Sequence, residues 1–142
     1  KEFAHGFTYS GHPTACVVAS RNLEIIERED LVEKVRNDTG PYLCQLWEQF
    51  NEHPLVGEVR NVGFLGAIEL VDDKSSRLFF KERGKVGGRC RDLCIRNGLV
   101  MRAVQDTMIL SPPLVATRGH LDEIYGKASK TLNQLAEELG RC

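Results

Sequence analysis

Residues 5–13, HGFTYSGHP, place two histidines, three hydroxyls and two glycines directly ahead of a proline and an apolar run. Pro13 suits the first position of a helix, with His12 or Gly11 at its cap. A helix start leaves backbone N–H groups unpaired and carries a partial positive charge, and glycine lets an anion approach the backbone. Thr8, Tyr9 and Ser10 would add hydroxyl donors. The chemistry on offer is anion binding, although plain turn-and-cap duty draws on the same residue types. The spacing fits neither a Walker A loop nor a dinucleotide fingerprint, and no strand precedes it.

Other candidates are sparser. Arg102, in LVMRAVQD, is a cation near a strand end, suited to a carboxylate or simply to water. Cys90 and Cys94, four apart on an expected helix, could face one metal. No histidine or second cysteine pair stands beside them, so no metal site is expected and buried thiols are the simpler reading. His5 and His12 have no Ser/Cys–His–acid set around them and read as loop packing and cap. Glu69 lies in a strand pattern and is expected to pair with a nearby arginine. Arg89, Arg91 and Arg96 read as a solvated helix face.

These residues must be positioned by a definite order of elements. Ala15, Val18, Ala19, Leu23 and Ile26 follow Pro13 at helical spacing, predicting a helix to about Arg28. Asp30 is expected to cap a second helix reaching Phe50, with a kink or two abutting segments at Gly40-Pro41, because proline lacks the amide donor. VGEVRNVGFLGAIELV then predicts two glycine-interrupted strands, and Asp72 to Ser76 a polar turn. KVGGRCRDLCIRNG predicts a helix stopped at Asn97-Gly98. LVMRAV and TMILSPPL predict two strands joined through Gln105-Asp106 and ended by Pro112-Pro113. Thr117 caps a last helix, with Asp122 and Glu123 expected in its first turn. Consecutive strands with tight turns predict an α+β fold, a small antiparallel sheet with helices on one face.

With 142 residues, 42% hydrophobic and 27% charged, the chain has the composition of a globular domain. A net charge of -1 supplies no broad basic field, so neither nucleic acid nor an anionic membrane is an expected partner. No apolar run approaches the roughly 20 residues of a membrane span. A soluble, cytoplasmic protein is expected.

Three stretches, HGFTYSGHPTACVVASRNLEIIERE, VRNVGFLGAIELV and GLVMRAVQDTMILSPPLV, in this order and spacing, resemble the C-terminal part of class III aminotransferases. These are fold-type I enzymes that use pyridoxal 5′-phosphate, and within them the chain looks most like the pyruvate-linked ω-transaminases, including the putrescine and polyamine group. The resemblance implies that residues 1–29 are the phosphate loop and connecting helix at the end of a large domain. Residues 30–142 would be the C-terminal small domain. It also implies a homodimer, with further pairing to a tetramer left open, in which Thr8, through its hydroxyl and helped by the backbone at Phe7, holds the cofactor phosphate of the partner subunit. Arg102 matches the arginine that pairs with the substrate carboxylate and swings away for an amine lacking one. Many sibling enzymes carry their carboxylate arginine three residues before Pro112-Pro113, where this chain has Ile109. Arg60 belongs to the family's VR-x-x-G strand, with a structural role.

The lysine that carries the cofactor lies in the large domain of such enzymes, so the resemblance assigns no catalytic residue to this chain. It reads as a fragment, inactive alone, of a transaminase moving an amino group from an amine, diamine or ω-amino acid to pyruvate or a similar keto acid. Two alternatives stay open. One is a stand-alone module for dimerisation or phosphate-ligand binding. The other is a different fold-type I reaction, as in an aminomutase, decarboxylase or racemase. Taken alone, the chain is expected to associate through its apolar first helix.

Overall fold

The computed structural model describes residues 5–141; Cys142 and the first four residues lie outside them. The chain divides into two compact units, Lys1–Val32 and Glu33–Cys142.

The first unit is a turn followed by helix α1 (Pro13–Arg28), 16 residues long. Proline at its start needs no amide partner, and the His12 side chain accepts from the Ala15 N–H at 3.4 Å, supplying the cap. The helix closes where the Asp30 amide turns back onto the Glu27 carbonyl, with Asp30 at φ 51°. Asp30 therefore ends α1 in a left-handed conformation, a state aspartate tolerates better than most residues. No residue of α1 is buried, and Val17, Val18 and Leu23 stand 60–69% exposed.

The second helical stretch is not one helix. Helix α2 (Leu31–Lys34) leads into a π-helical turn at Val35–Thr39, then α3 (Gly40–Glu48) and a 3₁₀ turn at Gln49–Glu52. The expected break at Gly40-Pro41 is thus a widened turn. The Gly40 amide reaches back five residues to the Val35 carbonyl, and Pro41 enters α3 in its first turn, where its missing N–H costs nothing. Glycine is required at 40: a Cβ there would lie 2.3 Å from the Val35 oxygen.

Strands β1 (Val56–Val62), β2 (Leu65–Leu70), β3 (Arg102–Val104) and β4 (Thr107–Leu110) form an antiparallel sheet in the order β1-β2-β4-β3. Helix α4 (Lys85–Arg96) connects the two hairpins, and α5 (Arg118–Glu138) closes the domain. The α+β layer is the one the sequence pattern predicts, with Ile68, Leu70, Met108 and Leu110 packed against α3, α4 and α5. Trp47, Leu43, Leu121 and Leu135 are fully buried in that layer. Gly66 lets the indole come close to the β2 backbone, since a Cβ there would sit 2.9 Å from Trp47 Nε1. Helix α4 ends at Gly98, φ 73°, with the Leu99 amide bonded to the Cys94 carbonyl. Thr117 and His120 cap α5 reciprocally. Asp122 and Glu123 fall one turn further in than expected, because Arg118 is the first helical residue and the first turn contains no acid.

Candidate functional site

The opening loop folds into a compact turn whose hydrogen bonds are mostly internal. Phe7 donates its amide to Ser10 Oγ at 2.9 Å and accepts from the Ser10 amide at 2.9 Å, and the His12 amide closes onto Tyr9 O at 3.1 Å. Thr8 sits exposed at the crown of the turn, and its hydroxyl makes no hydrogen bond among the described residues. Of the two groups the resemblance assigns to a phosphate, the Thr8 hydroxyl is uncommitted and the Phe7 amide is spent on Ser10. A phosphate at this turn would find a hydroxyl donor ready. It would reach the Phe7 amide only by displacing the Ser10 side chain. The residue types fit a phosphate. Gly11, at φ 77°, lets the chain turn into α1 directly behind this crown.

Arg102 belongs to the second unit and stands on the sheet face opposite Ile68, Leu70, Met108 and Leu110, the face that packs into the core. The register aligns Arg60 with Ala67, Ala67 with Ile109, and Ile109 with Arg102. Partners directly opposite on antiparallel strands share a face, so these four side chains make one row across all four strands. The neighbouring row is Glu58, Glu69, Thr107 and Val104.

The two arginines of the first row differ in their surroundings. Arg60 contacts Glu58 at 2.9 Å and Glu69 at 3.7 Å, which is the pairing expected for Glu69. Arg102 is exposed and has no hydrogen bond or ion pair among the described residues. An uncommitted guanidinium on an open sheet face can meet a carboxylate with two parallel hydrogen bonds.

The β3–β4 turn that places Arg102 is pinned by a residue that sequence reading treated only as turn chemistry. Asp106 is 2% exposed; its two carboxylate oxygens accept from the amides of Gly84 and Gly87, each at 2.9 Å. Those amides are the unpaired donors at the head of α4, so one side chain caps the helix and ties it to the hairpin. Gly87 permits the approach: a Cβ there would lie 2.0 Å from the Gln105 oxygen. The signal available beforehand was the Gly87-Gly88 pair facing an aspartate in a tight turn, some 20 residues away.

The remaining candidates have structural duties. Cys90 and Cys94 are buried between α4 and α5, where a hydrogen bond to Cys94 and burial push the Cys90 thiol above the ordinary range. Among the described residues no group of three His, Cys, Asp or Glu side chains could hold a metal ion. Arg89 pairs with Glu138 and Arg91 with Asp92, whereas Arg96 makes no ion pair among the described residues. A groove of about 920 Å³ beside α4 and the end of α5 is lined by Phe80, Val86 and Leu135, and by none of Phe7, Thr8 and Arg102. Among the described residues no helix is long and apolar enough to cross a membrane.

Known proteins place this architecture. The chain is 53% identical over 135 residues to a putrescine–pyruvate aminotransferase of Pseudomonas aeruginosa, covering 95% of this chain and 29% of that protein. It is 39% identical to gamma aminobutyrate transaminase 1 of Solanum lycopersicum, over 96% of this chain and 27% of the relative. Among solved structures it superposes on the omega transaminase of Pseudomonas jessenii in complex with PMP with a TM-score of 0.89, at 36% identity, covering 97% of this chain and 30% of that one. The chain thus spans under a third of the length of the relatives it matches, and they are pyridoxal phosphate-dependent aminotransferases. With residues 1–132 matching that family, the chain belongs to the class-III aminotransferases.

Proposed function

We propose that this chain is the C-terminal share of a transaminase that moves an amino group from an amine, diamine or ω-amino acid to pyruvate or a similar keto acid. The observation that carries this reading is Arg102: a guanidinium with no hydrogen bond or ion pair among the described residues, set by the sheet register on the face opposite the buried one. Similarity to the putrescine–pyruvate enzyme supports the choice of a diamine donor and pyruvate.

Pyridoxal phosphate, when bound, supplies the electron sink that amino-group transfer requires. This chain's residues bind and orient around it. Thr8 offers its hydroxyl to the phosphate at the crown of the turn, in a homodimer to the cofactor of the partner subunit. Arg102 takes the carboxylate of the keto acid through its planar fork, and its long stem lets it withdraw when the donor is an amine without a carboxylate. Each charge-assisted hydrogen bond of this kind contributes about 1.5–3 kcal/mol.

Arg102→Ala in the full-length protein tests the assignment. Losing one such bond predicts that kcat/KM for pyruvate falls roughly ten-fold to a hundred-fold, at about 1.4 kcal/mol per ten-fold. The value for an amine donor such as putrescine should stay within about two-fold. Equal losses for both substrates would remove Arg102 from this role.

A further inference from the structure

We infer that Ile109 is a specificity-determining residue: by presenting a hydrocarbon to Arg102 across the β3–β4 ladder, it leaves the guanidinium available to the carboxylate of an incoming monocarboxylate keto acid. The inference rests on the role given to Arg102 above and extends it to a second residue.

The same row of the sheet contains its own control. Arg60, at the opposite end, has two glutamates on its face and is held by both, at 2.9 and 3.7 Å. Arg102 has Ile109 directly opposite, Ala67 beyond it, and Thr107 and Val104 on the diagonal and along the strand. None of these carries a charge. Opposite residues on antiparallel strands hold their Cβ atoms about 4.5–5.5 Å apart, within easy reach of an arginine fork. A carboxylate at 109 would therefore do to Arg102 what Glu58 and Glu69 do to Arg60. With Arg60 already neutralised, the row offers one uncommitted cation. One cation matches one carboxylate, which is the count in a pyruvate-like acceptor.

The test compares Ile109→Glu with Ile109→Gln in the full-length holoenzyme, alongside Arg102→Ala. Glutamine matches glutamate in shape but brings no charge. Ile109→Glu should lower kcat/KM for pyruvate at least five-fold, from the upper end of a cross-strand ion pair plus repulsion of the acceptor. It should leave kcat/KM for putrescine within about two-fold, and Ile109→Gln, which adds no charge, should lose far less on pyruvate than Ile109→Glu does. Raising the ionic strength should shrink the Ile109→Glu defect, because an exposed pair is screened. Equal losses in the Glu and Gln variants, or no loss in Ile109→Glu, would overturn the inference while Arg102→Ala still collapses pyruvate use. Arg102→Ala without any effect on pyruvate would overturn the Arg102 assignment itself, and this inference with it. Should Ile109→Glu fail to fold, Val104→Glu, exposed on Arg102's own strand and face, applies the same criterion.

Discussion

At the scale of single residues, the difference between Arg60 and Arg102 shows how much a side chain's role depends on its neighbours across the sheet. Both were visible in the sequence as cations in strand patterns, and the alternation of apolar positions was enough to place them on strands. Which face each occupied, and beside what, depended on register, which becomes fixed only when the hairpins pair. His53 is a residue whose environment the sequence did not disclose at all. Half-buried at the entrance to β1, it accepts the Leu55 amide on Nδ1 at 3.2 Å, and burial holds its pKa below the ordinary 6.5. The folded state therefore favours the neutral ring. Stability from this group is fully present above about pH 6.5 and is lost as pH falls from there through the lowered folded-state value. Urea midpoints taken between pH 7.5 and 5 should decline for wild type. In His53→Gln that decline should flatten.

Among elements, α4 is the piece on which the candidate site leans. Its helical period was clear from Val86, Cys90, Leu93 and Cys94, and its stop from Asn97-Gly98. Its start was not clear, because the cap comes from Asp106 in a distant hairpin rather than from a residue just ahead. Local capping signals cannot reveal a partner supplied by tertiary structure. The same limit explains Pro41: the sequence called for an interruption, and only the packing of the Gly40 backbone against Gly63 Cα and Val35 decided that it would be a wide turn. Asp106→Ala should leave two amides at the head of α4 unpaired in a buried place, costing about 2–3 kcal/mol. Asp106→Asn, which retains one acceptor oxygen, should cost less. Denaturant unfolding measures both, and the larger loss should accompany a loosened β3–β4 turn.

For the molecule as a whole, the two units contribute unequally to stability. Among the described residues the connected hydrophobic core runs from Val35 to Ala136, all within the larger unit. Residues 33–142 expressed alone should therefore give a single cooperative thermal transition by circular dichroism. A broad, sloping melt would show that the first 32 residues are needed for folding. The helix-and-hairpin content of the larger unit was legible because each element's period and punctuation are local. The strand order was not, since β2 meets β4 through residues as far apart as Gly66 and Leu110. That central pairing has a kinetic consequence. Each hairpin needs only a tight turn to form, whereas joining the two requires closing a long stretch of chain around α4, an entropic cost met before any ladder bond is gained. The seam between the two hairpins should therefore be the last part of the sheet to close and the first to part.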